Sequence, residues 1–131
     1  MNKHEWAASV IGKPWRLHQC GPDTFDCWGL VWHYYANVEN TILPPYQGMA
    51  FSDGFFQEVD SWTPDEDGVV LCCFANGAPH HIGVKLDNYV IHAAGNERKP
   101  GQVFRHRLSA FRRIYGDVRG YTLDLHKPNH S

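Results

Sequence analysis

The chain has 131 residues, 43% hydrophobic and 14% aromatic, enough for one domain with a real core and too apolar for a disordered polymer. Its formal net charge of −2 leaves no basic footprint for nucleic acid. No run approaches the ~20 apolar residues of a membrane span, and Met1-Asn2-Lys3-His4-Glu5-Trp6 lacks the apolar stretch of a signal peptide. Synthesis in the cytoplasm, with release by lysis or inside a particle, is the resulting expectation.

Trp6, Val10 and Ile11 predict a first helix over residues 5–11, ended by Gly12-Lys13-Pro14. Residues 15–25 read as a loop with a turn signal at Gly21-Pro22-Asp23. The clearest helix covers residues 27–38. There Cys27, Leu30, Val31, Tyr34, Tyr35 and Val38 form one stripe, and Asp26 stands at the N-cap. Pro44-Pro45 and Gly48 open a second loop, and residues 55–62 are a candidate short helix. The second half reads as strands. Residues 69–74 are continuously apolar, and Ile82, Val84 and Leu86 alternate. Residues 89–93 follow after only Asp87-Asn88, and 102–105 and 121–125 are weaker candidates. Helices followed by an antiparallel sheet is the α+β pattern. Nothing repeats and no boundary is visible, so residues 1–131 read as a single domain.

The four cysteines are Cys20, Cys27, Cys72 and Cys73, with no C-x-x-C pair, which disfavours a zinc ribbon. A chain made in the cytosol is expected to keep them reduced. Cys72 and Cys73 fit core packing in a strand.

Cys27 falls at the first turn of a helix, where unpaired N–H groups and the positive end of the macrodipole favour a thiolate. Alone, a cysteine on an apolar helix face is more often structural. The predicted hairpin adds a second element. With Asp87-Asn88 as a two-residue turn, Leu86 faces Tyr89 and Gly83 faces His92. His81, Gly83 and Lys85 then share a face with Val90 and His92, and the two histidines become diagonal neighbours. His80 points to the opposite face. A thiol, a base and a group that orients the base are the parts of a cysteine nucleophile. A helix carrying Cys27 across the histidine face would bring the sulfur within roughly 3–4 Å of His81. A three-ligand zinc site from the same residues is the competing reading, without an obvious carboxylate base beside it.

Asp26-Cys27-Trp28-Gly29-Leu30, His81-Ile82-Gly83-Val84 and Ile91-His92-Ala93 resemble the NlpC-type family of papain-like cell-wall cysteine peptidases. Ile11-Gly12-Lys13-Pro14-Trp15 and the phrase from Gly21-Pro22-Asp23 through Val31 resemble its short branch in tailed phages and gene-transfer particles. The resemblance implies a papain-like α+β domain that hydrolyses amide bonds in peptidoglycan stem peptides without a cofactor. It implies Cys27 as nucleophile, His81 as base and His92 as the third polar residue. Trp15 and Asp26 would line the substrate site. Asp67-Gly68 inverts the Gly-Asp order that the family often shows before its first strand, a difference expected to alter the turn only. The phage branch further implies a virion location and partners in a tail hub or tail tip, acting during genome entry. Tyr46, Met49, Phe51, Phe55 and Phe56 are candidates for docking there, and equally for a lid or core. Trp28, off the main stripe, would pack on a partner or on the N-terminal helix. The alternatives are a structural tail protein with dispensable hydrolysis, or an acyltransferase or amidase on another substrate.

Overall fold

The computed structural model describes residues 1–43 and 62–123. The expected helix over residues 55–62, apart from Trp62, and the aromatic cluster from Tyr46 to Phe56 lie outside the described residues.

Helix α1 spans Lys3–Val10 and starts two residues before the position expected from its apolar periodicity. The reason is a capping box: the Asn2 side chain accepts from the Glu5 N–H, and the Glu5 carboxylate accepts from the Asn2 N–H. Helix α2 spans Cys27–Val38, capped by the Asp26 carboxylate, which accepts from the Gly29 N–H at 2.7 Å. The two helices dock through Trp6. Its ring meets Tyr34 edge-on at 5.1 Å, and its Nε1–H donates to His33 Nδ1 at 3.0 Å.

The sheet is antiparallel. Its strands are β1 (Trp62–Pro64), β2 (Val70–Ala75), β3 (Ala78–Leu86), β4 (Tyr89–Ala94), β5 (Gln102–Arg107) and β6 (Asp117–Leu123). Their order is β1-β6-β2-β3-β4-β5. A third helix, α3 (Leu108–Tyr115), follows β5 directly. The architecture is α+β, as expected, with β1, α3 and the first half of β6 added to the elements read from sequence.

The sheet is covered on both faces. Val70, Cys72, Ile82, Val84, Ile91, Ala93 and Val103 pack with Leu30, Val31 and Tyr34 of α2 in the main core. Leu71, Cys73 and Val90 pack under Phe111 of α3 on the other face. Burying each Leu, Val or Phe of these layers contributes about 1.5–3 kcal/mol, so α2 is held mainly by its apolar stripe. Trp28 is also buried, against Trp62 at 6.4 Å, and so packs on the sheet side rather than on α1.

Gly29 marks a close approach between the first turn of α2 and the preceding loop. A Cβ there would collide with the Gln19 carbonyl, whose oxygen accepts the Asp26 N–H at 3.1 Å. Replacing Gly29 with Ala is therefore expected to cost about 1–3 kcal/mol by overpacking. Chemical denaturation should show a lower midpoint with an unchanged slope. An unshifted midpoint would mean that the loop does not need this approach.

Candidate active site

The β3–β4 hairpin has the expected register, with Leu86 opposite Tyr89 and Val84 opposite Ile91. His81 and His92 lie on one face, and His81 Nε2 meets His92 Nδ1 at 2.9 Å. Gly83 sits against His92, since a Cβ on it would come within 3.0 Å of the His92 Cβ. Both histidines are buried.

The helix on that face is not the expected one. α2 packs on the opposite face, against Ile82, Val84 and Ile91. The histidines lie under α3, where Tyr115 stacks on His81 at 4.6 Å and Phe111 meets His92 edge-on at 4.8 Å. The Cys27 helix therefore does not cross the histidine face. The thiol approaches by a different route. The β3–β4 ladder stops at Val84–Ile91, whereas β3 stays paired with β2 as far as Ala78, and β4 with β5 as far as Ala94. The backbone ladder between β3 and β4 thus ends before His81 and His92, although their side chains remain hydrogen-bonded across it. The backbone N–H groups of Trp28, Ile82 and Cys27 itself favour the ionised form of the Cys27 thiol, so the sulfur lies near Ile82, the residue after His81 on β3. Cys27 keeps part of its surface open. Among the described residues no hydrogen bond joins its sulfur to His81 in the resting arrangement, where the His81 Nε2 is engaged by His92.

The electrostatics match that resting state. Burial, with help from the nearby Asp26 carboxylate, pushes the Cys27 thiol up to about 12, against the pull of the three amides. Burial first, then the neighbouring His92 and His80, holds His81 well below the ordinary imidazole value. Burial and His106 bring His92 down to about 3. Both members of the dyad therefore rest uncharged at neutral pH. Alkylation of Cys27 by iodoacetamide should rise about tenfold per pH unit between about pH 6 and 9, as for a thiol titrating above that window. A rate already flat below about pH 7 would reveal a preformed thiolate–imidazolium pair and contradict this assignment.

Asp26 is buried, and its carboxylate is committed to the backbone: one oxygen to Gly29 N–H, the other to His18 N–H at 2.8 Å. It caps α2 and ties the preceding loop. Trp15 is half-buried. It is bridged to Phe25 and donates its N–H to the Gly101 carbonyl at 3.0 Å. It lines a cleft of about 420 Å³ with Arg16, Leu17, Glu97 and Pro100, and neither Cys27 nor the histidines line that cleft. A larger cleft of about 760 Å³, bounded by Asp65, Lys85, Arg112 and Tyr121, is likewise not lined by Cys27 or the two histidines.

Three residues at the site escaped the sequence reading. Tyr115 and Phe111 shield the His81–His92 hydrogen bond. Beyond them, His92 Nε2 meets His106 Nδ1 at 2.8 Å. The signal for His106 was its period-two spacing from Phe104, which stands opposite His92. Among the described residues no group of three His, Cys, Asp or Glu side chains is arranged to hold a metal ion. The imidazole nitrogens here face one another instead of converging on a common point.

A thiol at a helix start and a sheet histidine with an imidazole partner are the parts from which a cysteine nucleophile can be built. The chain belongs to the NlpC/P60 family, whose model matches residues 12–113. Its fold is similar to the NlpC/p60 domain of the peptidoglycan hydrolase SagA, at 15% identity and TM-score 0.58, covering 93% of this chain and 95% of that one. It is also similar to NlpC1 from Trichomonas vaginalis, at 18% identity and TM-score 0.60, covering 90% of this chain and 42% of that one. A lipoprotein-like NLP/P60 family protein from Staphylococcus aureus subsp. aureus Mu50 matches at 18% identity and TM-score 0.61, covering 92% and 40%. The chain thus spans about two fifths of the latter two. No curated protein matches it.

Proposed function

We propose that the protein is a cysteine peptidase that hydrolyses amide bonds in peptidoglycan stem peptides, with Cys27 as nucleophile and His81 as base. The observation that carries the reading is the His81 ring held through Nε2 by His92 Nδ1 at 2.9 Å, where the β3–β4 ladder ends, with the Cys27 thiol near Ile82, the next residue of β3. The family membership and the SagA domain, described as part of a peptidoglycan hydrolase, support the substrate class.

His81 Nε2 is occupied, so Nδ1 is the nitrogen left to take the thiol proton. Because thiol and imidazole both rest neutral, proton transfer accompanies attack on the carbonyl carbon. The sulfur–carbon bond forms, and the S–H proton passes to His81 Nδ1. The start of α2, with the Cys27 and Trp28 amides and the macrodipole, stabilises the developing negative charge. The tetrahedral species then expels the amine, which takes the proton from His81 and leaves a thioester. Water, deprotonated by His81, hydrolyses the thioester to a carboxylate and free thiol.

The finer part of the proposal is a place in a phage tail, with the enzyme opening the wall during genome entry and docked on hub or tail-tip proteins. It rests on the phrases around Trp15 and Cys27 that resemble the phage branch. Zymography on purified peptidoglycan tests the enzyme reading, with clearing expected and an intact gel overturning it. Mass spectrometry of purified particles tests the location. A particle without this chain would remove the tail role.

A further inference from the structure

We propose that His106 is a positioning residue, the outer member of a three-imidazole relay that fixes which nitrogen of His81 is free to act as base. The inference rests on the peptidase reading of Cys27 and His81 and deepens it.

The relay follows from strand register. His92 pairs opposite Phe104, and Val90 opposite His106, so His106 is the diagonal neighbour of His92 on the same face. Its Nδ1 lies 2.8 Å from His92 Nε2, while His92 Nδ1 lies 2.9 Å from His81 Nε2. Phe104 stacks on the His106 ring at 5.4 Å and 23°, which restricts its rotation. Each of these two hydrogen bonds holds one proton, so the proton positions on the three rings are linked. If His81 is to accept at Nδ1, its proton must be on Nε2 and be donated to His92 Nδ1. His92 must then carry its proton on Nε2 and donate it to His106 Nδ1. His106 completes the chain by being an acceptor at Nδ1. When His81 takes the thiol proton, both of its nitrogens are protonated. The charge is stabilised by His92 Nδ1, and His92 is in turn polarised by His106. No proton leaves along the relay, and none is required.

A reversed chain would place the His81 proton on Nδ1, the nitrogen the thiol needs, and the base would be blocked. Because His106 is only half-buried, its ring is the member of the relay nearest the surface.

The test uses the intact protein and two variants, His106→Leu and His106→Asn. Leu removes the acceptor. Asn keeps an oxygen at about the position of Nδ1. With purified peptidoglycan peptides, His106→Leu should lower kcat about tenfold or more at unchanged KM, and His106→Asn should recover most of that loss. Nitrogen-15 spectra of histidine-labelled protein should show His81 and His92 both protonated at Nε2 in the wild type, with this preference lost in His106→Leu. Equal impairment of folded Leu and Asn variants, or an Nδ1-protonated His81 in the wild type, would overturn the relay. The spectra do not depend on turnover. An ordered relay in a protein that hydrolyses nothing would sink the peptidase reading alone. Full hydrolysis with unaltered tautomers in His106→Leu would sink the relay alone.

Discussion

Cys27→Ala should lose hydrolysis of peptidoglycan by about 10⁴-fold or more, since a missing nucleophile leaves only binding and the polar surroundings to act. The fold should survive the change. Alanine is the best helix former, position 27 opens α2 rather than filling its core, and the Asp26 cap on Gly29 is untouched. Thermal melting should therefore place the variant within a few degrees of the parent. Cys72 and Cys73, buried in the two cores, cannot substitute. Their thiols are pushed up by burial, Cys73 to about 12. Full activity in Cys27→Ala would end the cysteine-peptidase account.

The second large effect concerns the ranking of the histidines. His81→Ala should cost about 10²–10⁴-fold or more in kcat, the range for removal of a general base. His92→Asn should cost less, about 10- to 150-fold at most. That range corresponds to a hydrogen bond to a charged group, worth about 1.5–3 kcal/mol, and an amide can supply part of it. Steady-state kinetics of both variants, with circular dichroism to confirm folding, make the comparison. Equal losses, or a more damaging change at 92, would reverse the assigned roles. The order follows from position: His81 precedes Ile82, the residue near the sulfur, while His92 engages His81 at Nε2.

Much of this site was legible without coordinates because hairpin register is arithmetic. A two-residue turn at Asp87-Asn88 makes His81 and His92 share a face, and the observed pairing of Leu86 with Tyr89 is the same count. α2 was equally plain, its stripe and cap being local properties. Which face of the sheet α2 would cover was not local. Leu71, Cys73 and Val90 make one face as apolar as Cys72, Ile82 and Ile91 make the other. A strand buried along nearly its whole length, as β2 is, does signal cover on both sides, and hence a second helical layer. That layer, α3, was missed because it is eight residues long, has no side-chain N-cap, and carries Arg112 and Arg113 in its last turn. His106 was missed for a related reason. Its partner depends on the register between β4 and β5, which a longer connection leaves undetermined.

The central claim is that water hydrolyses an amide through a thioester on Cys27. A stem peptide incubated with the protein in water enriched in oxygen-18, followed by mass spectrometry of the products, tests it most directly. The account predicts two fragments, with one heavy oxygen in the new carboxylate, and an intact peptide when Cys27→Ala is used. An uncut peptide with the parent protein, fragments that persist with Cys27→Ala, or an acyl group transferred to another amine in place of water would contradict it.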